Sequence, residues 1–372
     1  MLKRVFTINF LDSFIFGATT VVLPLLMLDR GISIASIGVA FALAPLAKML
    51  VRLFAAAWAD KAGERLFYTL NGFGNAAQSV AYILAQSAPG FAFGKAIDGA
   101  RESFIWAVAR TSIMHEKKKS LHFAFADLIS GRYVYFALGS IAVGFLYPIG
   151  GFGAALALCA ALGLAIAALS LGVKNTHTGQ NVKLSDLSFS GREKSFYDTS
   201  LCLALGGSFY LVIVYAMAPL YLRLAGFSLG EIGLLYAAYF LLFGLVMNYL
   251  SRSKVPSSRS AAIGAAVFIL SLFGMGLAPV RYAPFFFVLM SVGDAHLGIN
   301  WEEVIYLQAK KSRRRSIEIA LIQVPSSIGA FLVSAASGFV AESYGFAPIF
   351  VLGAASLSAF AYLAVRLSQT NR

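Results

Sequence analysis

The sequence predicts an all-α integral membrane protein with about 12 transmembrane helices in two six-helix bundles. Hydrophobic residues make up 59% of the chain and charged residues 13%, whereas roughly a quarter of the residues in soluble domains are charged. A chain of 372 residues with this composition has too little polar surface to cover a water-soluble globule. Two further observations, an internal duplication and the lengths of the apolar stretches, indicate how many helices there are and how they are grouped.

The duplication relates the two halves of the chain at a constant offset of 195 positions, as from Pro24 to Pro219 and from Trp106 to Trp301. Several matches in one register, each at the same place relative to an apolar stretch, indicate a repeated unit. We therefore expect two similar bundles in parallel order. The other matched pairs are Gly31 and Gly226, Ser33 and Ser228, Ile37 and Ile232, and Gly38 and Gly233.

Each apolar stretch is close to the length that a helix needs to cross a bilayer, about 20 residues. Six stretches precede the polar segment from Lys174 to Lys194, and six follow it. The sequence therefore predicts an N-terminal bundle at 1–173, a cytoplasmic linker at 174–197 and a C-terminal bundle at 198–372. Spans 1 to 12 are predicted at 5–28, 34–59, 66–87, 90–113, 121–147, 152–173, 199–222, 229–250, 261–278, 283–308, 317–341 and 346–366.

The connecting segments carry a strongly asymmetric basic charge. One side has clusters such as Lys117 to Lys119 and Arg313 to Arg315, whereas the other side has only Arg30, Arg223 and Arg281. Basic residues accumulate on the cytoplasmic side of membrane proteins. The bias predicts a multi-pass protein of the cell (cytoplasmic) membrane with both termini in the cytoplasm. It also explains the net charge of +13 without a nucleic-acid partner.

Charged residues inside the predicted spans indicate which helices face the protein interior. A charge at mid-membrane costs at least about 2.5–3.5 kcal/mol, so it is retained mainly where it faces protein or a water-filled cavity. Spans 1, 2, 4, 5 and 10 carry such charges, whereas spans 3, 6, 9 and 12 carry none and are expected to face lipid. The residues are Asp12, Lys48, Arg52, Lys95, Asp98, Arg101, Glu102, Arg110, Asp127, Arg132, Asp294, Glu302 and Glu303.

Span 4 has the densest set of these charges. At 100° per residue, Lys95, Asp98, Glu102 and Trp106 fall on one stripe of the helix, with Arg101 beside it. Acids and bases at this spacing can pair along the helix. Two interpretations stay open: an ion-pair ladder that only locks the bundle, or a direct role in coupling or substrate binding.

Other polar residues complete the predicted interior. Arg132 of span 5 has no acid one turn away on its own helix, which favours an anion site. Asp12 and Asp294 are alternative proton sites, because carboxylates held in a low-dielectric cavity bind protons more readily. Further cavity candidates are Tyr210, Tyr215, His296, Asn300 and Trp301.

No catalytic or cofactor motif accompanies these residues. His115 and Glu116 lack the second histidine of a zinc-protease helix, and no nucleotide-binding loop is present. Cys159 and Cys202 both fall within apolar spans, which favours core packing and neither a disulfide nor a metal site. We therefore expect no cofactor and no metal, and a transporter is favoured over a membrane-embedded enzyme.

The segment between spans 2 and 3, AAAWADKAGER at 55–65, resembles the signature loop of the major facilitator superfamily. Asp60, Lys61, Gly63 and Arg65 match the pattern G-x-x-x-D-R/K-x-G-R/K-R/K, and Ala56 replaces its leading glycine. In span 4, the segment from Lys95 to Gly99 is similar to the family's R-x-x-Q-G, with Asp98 in place of glutamine. The resemblance covers nearly the whole chain. The family's antiporter Gly-Pro pair is absent from span 5.

The resemblance implies a secondary transporter in which two bundles rock about a central site lined by spans 1, 4, 7 and 10. It implies gating by Asp60, Lys61, Gly63 and Arg65, with Arg65 reaching acids near the end of span 4, here Glu116. We expect proton-coupled movement of a small molecule by a chain that functions as a monomer. Export of a lipophilic or cationic compound is slightly favoured, and symport or facilitated transport of an anionic metabolite is the alternative. The expected coupling residues are Asp98, Glu102, Asp12 and Asp294.

Overall fold

The computed structural model describes residues 2–116, 121–175, 187–253, 257–310, 312 and 315–370. In this part of the chain the protein is almost entirely helical, and no strand occurs. The predicted all-α class is therefore confirmed. The α-helices are α1 Leu2–Asp29, α2 Ile34–Ala62, α3 Glu64–Leu84, α4 Ala88–Glu116, α5 Leu121–Ser170, α6 Lys194–Val212, α7 Ala218–Leu224, α8 Leu229–Arg252, α9 Ser257–Leu277, α10 Ala283–Ala309, α11 Arg315–Ile322, α12 Val324–Tyr344 and α13 Ala347–Thr370.

The predicted spans coincide with these helices, although α6 begins inside the predicted linker. Nine helices of the described chain are long and apolar enough to cross a membrane. One of the nine, at 128–170, includes parts of both predicted spans 5 and 6. The helices α3 and α4 are not among the nine, since polar and charged side chains lower their hydropathy. The count of 12 spans and the boundaries of the two bundles stay predictions.

The duplicated turn has the same geometry in both halves. Gly31 and Gly226 both have positive φ, 71° and 95°, a conformation that favours glycine. The hydroxyl of Ser33 then accepts a hydrogen bond from the backbone N–H of Ser36, as that of Ser228 does from Glu231. Each serine thus satisfies a free N–H at the start of the next helix.

The helical elements are irregular at three points. The helix α5 is interrupted at Gly150 and Gly151, and Gly151 has a φ of 62° that turns the chain back. A π-turn at Ile213–Met217 separates α6 from α7, so predicted span 7 comprises all three elements. Predicted span 11 is broken at Gln323, between α11 and α12.

First-half and second-half helices meet most extensively along two pairs, α2 with α12 and α5 with α8, and α1 also packs on α7. The backbones approach closely at two duplication-related glycines. A Cβ added at Gly38 would lie 2.6 Å from the carbonyl oxygen of Ser334, and one added at Gly233 would lie 2.8 Å from that of Ser140. Both glycines lie near the turns at Gly31 and Gly226, at what we call the turn end. The other end, which carries the chain termini, is called the terminal end.

Candidate functional site

Asp12 of α1 is the centre of a buried polar network in the first half of the chain. Its carboxylate accepts hydrogen bonds from Arg101 of α4 at 2.8 Å and from Arg132 of α5 at 3.3 Å. The side-chain amides of Asn71 and Asn75 of α3 donate to it at 3.1 Å each. The side chains of Asp12 and Arg101 are only 2% and 1% exposed. Four donor groups therefore stabilise the Asp12 carboxylate at a position that solvent hardly reaches.

Arg101 also joins Asp12 to Asp98. One guanidinium nitrogen of Arg101 donates to Asp12, and the other donates to Asp98 at 2.6 Å. The second Asp98 oxygen accepts from the ammonium of Lys95 at 2.7 Å. Lys95 in turn lies 4.6 Å from the centroid of the Phe41 ring of α2. Lys95, Asp98 and Arg101 thus form part of the ladder that the helical spacing predicted.

Glu102 belongs to a separate pair. It forms a salt bridge with Lys48 of α2 and accepts a hydrogen bond from the indole N–H of Trp106 at 3.2 Å. Its side chain is 24% exposed, against 10% for that of Asp98. The two carboxylates therefore each have their own cationic partner, because Lys48 comes from the neighbouring helix. The repulsion that we expected between Asp98 and Glu102 is correspondingly reduced.

Arg132 was expected to be available to an anion, and in the structure it has partners on two other helices. Besides its contact with Asp12, it donates to the side-chain oxygen of Asn9 at 3.2 Å. Its guanidinium carbon lies 4.7 Å from the centroid of Trp106, a cation–π arrangement. The acid that the sequence did not place beside Arg132 comes from α1, 120 positions away along the chain.

The amides of α3 are site residues that the sequence interpretation missed. Asn71, Asn75 and Gln78 are all fully buried and follow one another at helical spacing. Span 3 was expected to face lipid because it carries no charge, and that prediction is wrong for this face of the helix. The signal available in the sequence was the stripe of neutral amides itself. Large apolar side chains exposed on α3 are Phe73, Val80 and Leu84.

Asp294 of α10 is the centre of a second cluster, made of phenols. Tyr239 of α8 donates its hydroxyl to the Asp294 carboxylate at 2.6 Å, and the hydroxyl of Tyr210 is a second partner. Asp294 is 6% exposed and Tyr239 is fully buried. No Lys, Arg or His side chain of the described residues forms a salt bridge with Asp294. The Asp294 carboxylate thus has hydrogen-bond donors but no cationic partner among the described residues.

Tyrosines connect Asp294 to the first half of the chain. The hydroxyls of Tyr210 and Tyr215 lie 3.2 Å apart, and Tyr210 also interacts with Tyr133 of α5. The ring of Tyr215 meets Phe16 of α1 edge-on at 5.1 Å. Tyr210 and Tyr215 are half-buried, as is Trp106. We call Tyr133, Tyr210, Tyr215 and Tyr239 the tyrosine cluster.

The three remaining cavity candidates on α10 have other partners. The imidazole of His296 lies 2.9 Å from the hydroxyl of Ser260 on α9, and Asn300 donates to the backbone carbonyl of His296 at 2.8 Å. Trp301 is half-buried, with its ring 6.1 Å from that of Phe360 on α13. The hydrogen bonds and ring contacts described for His296 and Trp301 thus involve neither Asp294 nor the tyrosine cluster.

The signature loop is described only in part. Gly63 has a φ of 79°, which favours glycine in the turn between α2 and α3. Arg65 donates from its side chain to the Val173 carbonyl at 3.1 Å and from its backbone to Asn175 at 2.9 Å. The side chains of Asp60, Lys61 and Glu116 lie outside the described residues, so the expected contact of Arg65 with Glu116 stays a prediction.

Polar contacts tie several elements together at the terminal end. Arg52 of α2 donates to the side-chain oxygen of Gln323 at 2.6 Å. Glu318 of α11 accepts from Arg192, which precedes α6, at 2.7 Å and from Gln308 of α10 at 2.9 Å. Sequence interpretation did not find these contacts, since two of them join residues that are far apart along the chain, and Gln308 and Gln323 carry no charge. Among the described residues, no group of three or more His, Cys, Asp or Glu side chains is arranged to hold a metal ion.

Comparison with known proteins identifies the family of this chain and solved structures that resemble it. The family model described as Major Facilitator Superfamily matches residues 5–301. A solved structure of the nucleoside transporter NupG is similar to this chain, with a TM-score of 0.72 and 13% identity. The structure of a NupG mutant gives a TM-score of 0.77, also at 13% identity. Each similarity covers 98% of this chain and 98% of the other. A structure from work on substrate recognition in proton dependent oligopeptide transporters gives a TM-score of 0.76 at 12% identity, over 100% of this chain and 99% of that one. No curated protein sequence matches the chain.

Proposed function

The chain belongs to the Major Facilitator Superfamily, and from this premise we propose that it is a proton-coupled secondary transporter that works by alternating access. It is a multi-pass membrane protein that transports a small molecule, and it is not an enzyme. Our proposal adds the coupling residue, Asp294, and the substrate class, an organic cation that leaves the cell in exchange for protons. One chain is proposed to contain the whole pathway.

The observation that carries the proposal is the contrast between Asp294 and the acids of the first half. Asp12, Asp98 and Glu102 each have a cationic partner, whereas Asp294 has only phenol donors among the described residues. An uncompensated charge within a membrane is costly, so it favours the binding of a neutralising proton or cation. A proton and a cationic substrate then compete for one carboxylate. Because the site opens to each side of the membrane in turn, one can leave on one side and the other can bind on the opposite side.

Aromatic side chains around Asp294 support a cationic organic substrate. Tyr210, a partner of the carboxylate, and Tyr215 beside it are both half-buried, whereas the ring of Trp106 already faces the guanidinium of Arg132. Aromatic faces attract organic cations, more strongly when water is excluded. A cation with an apolar body could therefore be held by ring faces and by the carboxylate together.

The anionic alternative has less support from the geometry. It required Lys95, Arg101 and Arg132 to be available to a substrate, and each of them is engaged with Asp12 or Asp98. The similar nucleoside and oligopeptide transporters are too distant in sequence to assign a substrate to this chain. That one of these structures concerns proton dependent transporters is in keeping with the proposed coupling.

The proposal is tested by transport into proteoliposomes with an imposed pH gradient and a panel of organic cations that includes tetraphenylphosphonium. We expect gradient-driven accumulation by the wild type and its loss in Asp294→Asn, with partial retention in Asp294→Glu. Asp29→Asn is the matched control, because Asp29 is an exposed aspartate at the end of α1. Full gradient-driven accumulation by Asp294→Asn, or no response of the wild type to the gradient, would contradict the proposal.

A further inference from the structure

The π-turn in span 7 brings together two tyrosines that an α-helix would separate. Tyr210 and Tyr215 are five residues apart, and five residues of an α-helix turn through 500°, which leaves their side chains about 140° apart. A π-turn pairs residues five apart, as the hydrogen bond from Ala218 N–H to the Ile213 carbonyl shows here. Tyr215 lies within this turn and Tyr210 lies in α6 before it, so the turn alters the angle between the two side chains whose hydroxyls lie 3.2 Å apart.

Pro219 and a hydrogen bond from α8 together explain why the π-turn forms at this place. Pro219 has no N–H, so it cannot bond the carbonyl of Tyr215 four residues earlier or that of Val214 five residues earlier. The Val214 carbonyl instead accepts the hydroxyl of Tyr236 from α8 at 2.5 Å. Tyr236 is fully buried, so no solvent could replace this donor. The π form is thus favoured by one hydrogen bond from a neighbouring helix.

An α-helical alternative is available to the same residues. In that form Ala218 would bond the Val214 carbonyl, and the hydroxyl of Tyr236 would no longer be needed. Removing the π-turn would rotate α7 against α6 by up to about 100°. Tyr215 would then leave both Tyr210 and Phe16, and α7 would lose its present packing on α1 at the turn end.

We propose that the π-turn at Ile213–Met217 is a two-state element that controls closure of the turn end, and that Tyr215 is the positioning residue through which it acts. In the π form Tyr215 packs on Phe16 and holds Tyr210, which also contacts Asp294. In the α form α1 and α7 separate and Tyr210 is released. The inference rests on the alternating access proposed above, but it does not depend on which substrate is carried.

The test measures the turn end directly, by pulsed electron paramagnetic resonance in lipid nanodiscs. Spin labels are attached at Asp29→Cys and Leu224→Cys, both exposed positions near the ends of α1 and α7. The native cysteines are buried and do not interfere. We expect Tyr236→Phe and Tyr215→Phe each to raise the population with a long label distance by roughly two- to tenfold, the equivalent of one neutral hydrogen bond.

The matched control is Tyr221→Phe on α7 itself. Its hydroxyl also donates to a backbone carbonyl, that of Met275 at 2.8 Å, but this bond does not involve the π-turn. We expect no change in the distance distribution for this variant. A shift of the same size in all three variants would overturn the proposal, as would wild-type distances in Tyr236→Phe.

A second variant separates the two-state element from general loosening. Pro219→Ala supplies a backbone N–H that can bond the Val214 carbonyl within the π form, so the effect of Tyr236→Phe should fall at least about twofold in that background. An undiminished effect would overturn the proposal. Because the readout needs neither substrate nor a pH gradient, a failure here is distinguishable from a failure of the coupling role of Asp294.

Discussion

At the scale of single residues, Arg101 holds two carboxylates from two helices with the two ends of one guanidinium group. Its planar shape allows this, whereas a lysine ammonium would act as a single point charge. The arrangement joins α1 to α4 in a site that solvent scarcely reaches. Removing one partner of such a buried pair leaves an uncompensated charge, which costs more than the pair contributes.

We therefore expect Arg101→Met to lower the free energy of unfolding by about 3 kcal/mol, the lower end of the range for broken buried pairs because Lys95 and Arg132 remain. Combining it with Asp98→Asn should cost less than the sum of the two single losses, because both substitutions break the same Arg101–Asp98 pair. Chemical unfolding in detergent micelles measures both variants. Strictly additive losses in the double variant would contradict this account.

The sequence of a single helix predicts ion pairs within that helix, but it does not predict pairs between helices. The spacing of Lys95, Asp98 and Arg101 predicted their pairing, because all three lie on α4. The partners that come from other helices, Asp12 for Arg132 and Lys48 for Glu102, depend on how the helices pack. Periodicity along one helix contains no information about that packing.

At the scale of helices, the contact between the two halves at the turn end depends on Gly38 and Gly233. At each position a methyl group would overlap a backbone oxygen of the facing helix, which cannot move aside as a flexible side chain could. The same duplication that identified these glycines in the sequence thus relates two places where backbones of the two halves approach closely. The duplication did not predict which helices they would meet.

We expect Gly38→Ala to weaken closure of the turn end and to cost roughly 1–3 kcal/mol, the usual cost of overpacking. Gly153→Ala is the control, because a Cβ there meets nothing within 4 Å. Thermal unfolding, together with the label distance between positions 29 and 224, measures both effects. Wild-type stability and distances in Gly38→Ala would show that α2 and α12 can separate slightly without loss.

Helix limits were predictable from apolar length, but the irregular points were not. Pro219 was visible in the sequence, yet the π-turn also needs the hydroxyl of Tyr236 from another helix. The duplication makes this plain: Pro24 occupies the equivalent position in α1, where the equivalent of Tyr236 is Phe41. No π-turn is assigned within α1, and Phe41 has no hydroxyl to offer a free carbonyl.

At the scale of the whole molecule, the positive charge bias predicts that the terminal end lies in the cytoplasm. Cysteines introduced at Ser190 and Ser87, exposed positions at the terminal and turn ends, should therefore label from opposite sides of the membrane. A membrane-impermeant thiol reagent applied to intact cells should modify Ser87→Cys and not Ser190→Cys. The reverse pattern would overturn the assigned orientation.

The two ends of the molecule have different principal contacts, and at the turn end the carboxylate of Glu342 also accepts a hydrogen bond from the backbone N–H of Ala35 at 2.8 Å. The turn end closes where backbones touch at Gly38 and Gly233, and dispersion forces between uncharged groups are insensitive to dissolved ions. The terminal end includes the partly exposed ion pair of Arg192 with Glu318. Mobile ions screen exposed charges within about 8 Å at physiological ionic strength. We therefore expect dissolved salt to weaken the Arg192–Glu318 pair at the terminal end and to leave the backbone contacts at Gly38 and Gly233 nearly unchanged.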